Sequence, residues 1–193
     1  MAFWQFLRKH KDKAVASQLQ KQRLLLPHLP KASWKDVRAN AEIYHGHEIC
    51  QEKSQLMLKE MLLPAGLLPL QNIEEYGHVK ETGFVWLKQK KKITHKFEKI
   101  GKLVSYEPVV IAYVETSRIK KLTGVKAKEL LIWITLIDIY VDDPPTGKIT
   151  FKSTAGLSRT FSVSAFELEE PKELKEVKEA NRVVAEAQEV NEV

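Results

Sequence analysis

One cysteine, Cys50, in 193 residues leaves no internal disulfide to staple the fold and no thiolate-only metal site. Such cysteine usage suits a reducing compartment. Long apolar runs are scarce too. The longest, 130–141, is shorter than the roughly 20 residues a membrane-spanning helix needs, and it contains Asp138. No apolar region of signal-peptide length follows the early basic residues, so a secreted destination is not expected. Catalytic signatures are missing as well. There is no G-x-S-x-G elbow, the nearest string being Gly156-Leu157-Ser158-Arg159, and no dinucleotide-binding glycine fingerprint. Gly147-Lys148-Ile149-Thr150 ends like a phosphate-binding loop but lacks its earlier glycine.

What is present divides the chain by charge. Residues 1–34 hold seven Lys and Arg against one acid, residues 35–166 hold twenty against fifteen, and residues 167–193 hold four against nine. The chain therefore reads as a basic amino-terminal extension, a moderately basic body and an acidic tail. The extension, with Phe3, Trp4, Phe6 and Leu7 at its start, is expected to be a disordered or partly helical arm. The tail has no aromatics and only a thin stripe of Val and Ala, so it is expected to stay disordered or marginally helical.

Ser33-Trp34-Lys35-Asp36 resembles a helix capping box. A short helix is predicted to about Tyr44 and stopped by Gly46, with a second from about His47 to Leu62, ended by Pro64. Cys50, Met57, Leu58, Met61 and Leu62 fall roughly on one face of the second helix. Beyond Pro69 the pattern becomes strand-like: 72–79, 84–89, 93–98, 102–106, 109–115, 117–122, 129–141, 148–153 and 158–166. Gly, Pro and Asp separate these segments, for example Glu107-Pro108, Thr123-Gly124 and Asp142-Asp143-Pro144-Pro145. Short turns without intervening helices predict a mainly β protein, an antiparallel closed or partly open barrel after two helices. A two-sheet sandwich is the alternative. Leu130 to Val141 is read as its central strand, covered on both faces, with Trp133 buried.

Candidate chemistry is sparse. His45-Gly46-His47-Glu48-Ile49-Cys50 gathers metal-ligand types, yet no second ligand pair stands at a finger-like spacing, so surface histidines at a helix boundary and a packed thiol are the better reading. Ser105, Ser117, Ser158 and Ser162 flank strands and would be the first nucleophiles to test in a hydrolase. The strongest polar feature is basic. Lys88, Lys90, Lys91, Lys92, Lys96, Lys99 and Lys102 form one cluster, and Arg118, Lys120, Lys121, Lys126 and Lys128 a second. If the strands between them pair as a meander, the two could line one rim or face. Lysine point charges suit lipid headgroups or phosphate, so Lys88, Lys90, Lys91, Lys92, Lys96, Lys126 and Lys128 are candidates for an anionic surface. The scarcity of Arg and of interleaved aromatics argues against nucleic acid.

Five ordered motifs carry a resemblance. They are 64–69 (PAGLLP), 81–87 (ETGFVWL), 124–130 (GVKAKEL) with the apolar run after it, 144–151 (PPTGKITF) and 162–167 (SVSAFE). Over roughly 35–167 the chain resembles the plant domain of unknown function 538 family, closest to its "Smaller with Variable Branches" group. The resemblance implies a small β-barrel preceded by helices. It also implies a non-enzymatic binding module, for an apolar small molecule such as chlorophyll or for anionic phospholipid, with a regulatory role in growth, trichome development or stress. A carboxylesterase-like hydrolase of a lipid or chlorophyll ester and a regulatory protein-interaction module are the alternatives. The expected setting is cytoplasmic, with peripheral membrane contact and no cofactor.

Overall fold

The computed structural model describes residues 12, 13, 15–17 and 34–168. Ser33 of the expected capping box, most of the amino-terminal extension and the acidic tail beyond Leu168 lie outside these residues. Helix α1 (Trp34–Ala39) is followed by strand β1 (Glu42–His45) and helix α2 (His47–Glu60). Eight further strands complete the fold: β2 (Ile73–Val79), β3 (Phe84–Gln89), β4 (Ile93–Phe97), β5 (Lys102–Glu115), β6 (Arg118–Glu129), β7 (Ile132–Val141), β8 (Lys148–Ser153) and β9 (Ser158–Ser162).

All nine strands pair antiparallel in one sheet, in the order β1-β2-β3-β5-β6-β7-β8-β9, with β4 paired to β5. The sheet is mainly β as expected, and it is open: no ladder joins β1 to β9. It is nonetheless strongly curled. Phe97 on β4 and Phe151 on β8 are four strands apart, about 19 Å in a flat sheet. Both rings rest on Phe166, at centroid distances of 4.9 and 5.0 Å. The curl brings Val85, Leu87, Val104, Tyr106, Leu136 and Ile149 into one core, to which α2 adds Cys50, Met57 and Leu58.

The other face of β2, β3 and β5 builds a second, smaller core. Val79, Phe84, Trp86, Val109 and Ile111 pack there with Val15 and with Val37 of α1. Residues 12, 13 and 15–17 are helical, so part of the arm expected to be disordered or partly helical packs on this layer through Val15. Beneath it sits a charge cluster in which Glu75 is bound by Arg38 (2.7 and 3.2 Å), Lys88 (2.9 Å) and the Trp86 indole N–H (2.7 Å), with Asp12 closing on Lys88. Gly77 faces Trp86 directly across the β2–β3 ladder. A Cβ there would stand 2.0 Å from the indole, so only glycine lets this large ring lie flat on the neighbouring strand.

The first expected helix is too long. Glu42–His45 instead pairs with β2, and Ile43 and Tyr44, a β-branched and an aromatic residue, suit that edge. The second helix stops at Glu60 rather than Leu62. The segments 102–106 and 109–115 are one strand, with β4 on its first half and β3 on its second. Pro108 breaks no ladder because it falls between those two partners and in a bulge opposite β6. Gly124, expected in a turn, lies inside β6 at that bulge. Its φ is +82°, and an added Cβ would meet the Val109 carbonyl oxygen at 2.3 Å.

The largest correction concerns the apolar run. Leu130-Leu131 is a two-residue hairpin loop between β6 and β7, with Leu130 at φ 53°. Such loops favour Asn and Gly, and a left-handed residue with a side chain costs about 1–2 kcal/mol, so leucines there do not read as a turn. Leu130 is 93 % exposed, Leu131 91 %, Ile132 63 % and Trp133 42 %; the expected burial of Trp133 and of both faces of this stretch is wrong. Further along β7, a register shift between Leu136 and Asp138 flips the inward face. Leu136 and Ile139 are therefore both buried although they differ in parity.

Candidate functional site

The inner face of the curled sheet is not filled everywhere. Antiparallel partners point the same way, so Val104, Ala127 and Ile134 line up across β5, β6 and β7 on that face. Together with Leu136, Phe151 and Phe161 they wall a pocket of about 530 Å³, counting its open mouth. Phe166, on the 3₁₀ turn Val163–Phe166 that follows β9, forms its floor against Phe97 and Phe151. The walls are almost wholly apolar.

Charge is confined to a few side chains. Lys102 binds both carboxylate oxygens of Glu129 at 3.1 Å, and Arg159 Nε stands 3.9 Å from the same carboxylate. Two cations against one anion leave a net positive charge, with the Arg159 side chain 57 % exposed. Ser153, also in the wall, is engaged on both sides: its hydroxyl donates to the Leu157 carbonyl and accepts from the Leu157 amide, each at 3.1 Å.

The expected lysines are spread by the fold. Lys88 is a correction: at 2 % exposure it is buried under the amino-terminal layer, paired with Asp12 and Glu75, and so does not belong to an exposed cluster. Lys90, Lys91 and Lys92 are exposed in the β3–β4 turn, Lys92 pairing with Glu107 at 3.1 Å. Lys96 pairs with Glu98 at 2.6 Å, and Lys126 approaches Glu107 at 3.7 Å. Register puts Lys96 across from Leu103, Lys126 across from Ser105, and Lys128 across from Trp133. All three therefore stand on the outer face, opposite the pocket wall. Arg118 and Lys120 lie at the other end of β6, paired with Asp138 and Glu115, and Lys121 sits over the Tyr113 ring. Lys92 of the first cluster and Lys126 of the second thus meet at Glu107, and Lys96 shares the outer face with Lys126 and Lys128, whereas Arg118, Lys120 and Lys121 lie apart.

The pocket residues escaped the sequence reading because they are ordinary strand hydrophobics. Their signal was the set of motifs at 124–130, 144–151 and 162–167, which hold Ala127, Glu129, Phe151 and Phe166. Among the described residues, none of Ser105, Ser117, Ser158 or Ser162 is hydrogen-bonded to a histidine, and Ser105 is fully buried. His47 accepts the Ile73 amide at 3.4 Å, while Cys50 is buried and its thiol donates to the Tyr44 carbonyl. Burial pushes that thiol's pKa up. No three His, Cys, Asp or Glu among the described residues are grouped to hold a metal, and no described helix is long and apolar enough to cross a membrane.

An open, curled antiparallel sheet with a helix on its core and an apolar pocket behind a charged mouth defines the class. The chain belongs to the family described as "Protein of unknown function, DUF538", whose model matches residues 54–167. That span runs from the middle of α2 to just past Phe166 and contains the whole pocket. No curated protein and no solved structure matches the chain.

Proposed function

We propose that this protein is a binding module for an apolar small molecule, seated in the pocket between β5–β7 and Phe166. The observation that carries the reading is the pocket itself. It is an open cleft walled by Val104, Ala127, Ile134, Leu136, Phe151 and Phe161, and a mostly apolar lining with a few polar groups at the edge is the usual character of a small-molecule site. Lys102 and Arg159 at its edge favour a ligand with an anionic end, such as a fatty carboxylate or an acidic lipid. A pigment ester with a long hydrocarbon tail fits the same chemistry through its tail. The module would act in the cytoplasm or at its membranes, and any role in growth, trichome development or stress would follow from the ligand.

A second reading, attraction to an anionic lipid surface, is favoured by the outer-face lysines Lys96, Lys126 and Lys128. The direct test of the first is native mass spectrometry of the full chain purified from plant tissue, beside Ala127→Phe. That variant puts a ring into the pocket wall. We expect a retained lipid or pigment on the wild type and none on the variant. Equal retention by both would overturn the pocket assignment.

A further inference from the structure

We propose that the β6–β7 hairpin tip, Leu130-Leu131-Ile132-Trp133, is a wedge that docks the protein on an anionic phospholipid bilayer with the pocket beside the membrane. The inference deepens the proposed function and rests on it in one respect, that the ligand comes from a lipid phase.

Four consecutive large apolar residues at a loop tip reach beyond the core: two are more than nine-tenths exposed, and Leu130 holds a backbone conformation that Asn or Gly would adopt more easily. A soluble domain normally places polar residues there. The tip is apolar on every side. Ile132 stands across from Glu129 on the pocket face, and Trp133 stands across from Lys128 on the outer face. Such a tip suits the boundary between headgroups and acyl chains, where an indole ring is favoured and a two-residue turn keeps its backbone groups within reach of water. The charge around it matches an anionic surface. Lys128 is Trp133's cross-strand neighbour, and Arg159 and Lys102 flank Glu129 where β6 enters the tip.

The geometry also separates this mode from docking through the β3–β4 turn. Ile93, Tyr106 and Val125 are in register at that end of the sheet, whereas Phe97 and Lys102 pair at the tip end. Four residues of β6 separate Val125 from Glu129, about 14 Å at ~3.4 Å per residue. With the tip in the membrane, Lys90, Lys91 and Lys92 therefore lie beyond the ~8 Å Debye length at physiological salt.

The test is flotation of the full chain with vesicles of phosphatidylcholine, with and without phosphatidylserine. Three chains are compared: wild type, Leu130→Ser with Leu131→Ser, and Lys90→Glu with Lys91→Glu and Lys92→Glu. Because both leucines are exposed, the serine variant should keep its thermal midpoint. We expect serine-lipid vesicles to bind best, at least about a tenfold loss in the leucine variant, and less than about threefold in the lysine variant. Lipids brominated on their acyl chains should quench wild-type fluorescence more than that of Trp133→Phe. Equal binding by the leucine variant, a larger loss in the lysine variant, or no Trp133-dependent quenching would each overturn the proposal. So would a wild-type dimer that the leucine variant converts to monomer, since a second copy would then cover the tip. The two readings fail separately. A chain that retains ligand but does not float removes the wedge alone, and one that floats without retaining ligand removes the pocket reading alone.

Discussion

Trp86 donates its indole N–H to the Glu75 carboxylate at 2.7 Å, tying the largest fully buried side chain to the most heavily paired acid among the described residues. Burial alone would raise the Glu75 pKa. The Arg38 hydrogen bond, the Lys88 charge and the bonds from Trp86 and Lys88 outweigh it and bring the value down to about 2. The unfolded chain returns this carboxyl to its ordinary 4.5. Its contribution is therefore complete above about pH 4.5 and is lost as the pH falls towards 2. The gap corresponds to stability on the order of 3 kcal/mol. Urea midpoints measured down that range should fall for the wild type. Glu75→Gln should be less stable at neutral pH by about 3–5 kcal/mol, because Arg38 and Lys88 lose their common partner, and should show a flatter acid limb. Parallel acid limbs would mean that another group controls acid unfolding.

Gly77 makes the same layer sensitive to a single methyl group. Its Cβ position lies 2.0 Å from one indole carbon and 2.3 Å from two others, closer than real carbon atoms pack. Gly77→Ala must push Trp86 out of the second core or part β2 from β3. A loss of about 2–4 kcal/mol is expected, larger than the alanine-for-glycine gain an ordinary strand would show. Thermal unfolding beside the wild type checks it; a midpoint unchanged or raised would show that the ring can move freely.

Two tryptophans should then behave oppositely. Trp86→Ala leaves a large hole and takes one of several hydrogen bonds from Glu75, and should cost about 3–5 kcal/mol. Trp133→Ala removes a ring that is 42 % exposed at a hairpin tip and should cost no more than about 1 kcal/mol. Chemical denaturation of the pair decides whether the centre of the fold is β3, as the structure has it, or the apolar run that the sequence emphasises.

Most of the architecture was legible because alternation and turn chemistry agreed. Phe84–Gln89 and Lys148–Ser153 have the bounds that pattern alone predicts. Reading failed where a physical signal was shared between two causes. A dense apolar run marks a buried strand, yet Leu130 to Trp133 sits at a hairpin tip that the core leaves largely uncovered. Pro108 and Gly124 look like turn residues, and both serve a bulge between β5 and β6. Lys88 looks like its neighbours Lys90 to Lys92, yet strand parity puts it on the Trp86 face, under the layer that holds Asp12. The pocket was hidden for a simpler reason: Val104, Ala127 and Ile134 come together only through register, and nothing in their chemistry distinguishes them from core.

The pocket mouth yields the last prediction. Glu129 accepts both hydrogen bonds from Lys102 and sits 3.9 Å from Arg159, so it competes with any anionic ligand for the same two cations. Glu129→Gln removes the competing charge while keeping the side chain's length and shape. A partly exposed pair of this kind contributes at most about 1 kcal/mol to folding, so the variant should remain folded. A ligand carboxylate near Lys102 would then gain a few kcal/mol at most before screening, and roughly a tenfold tighter affinity is expected. A fatty alcohol of equal chain length has no charge to gain from the change and should bind the two proteins alike. Lys102→Met should do the reverse, weakening the carboxylate and sparing the alcohol. Titration calorimetry with the matched acid and alcohol separates these outcomes. Equal affinities for the acid in all three proteins would mean that its head group lies away from Lys102 and Glu129, leaving only the apolar walls to hold the chain.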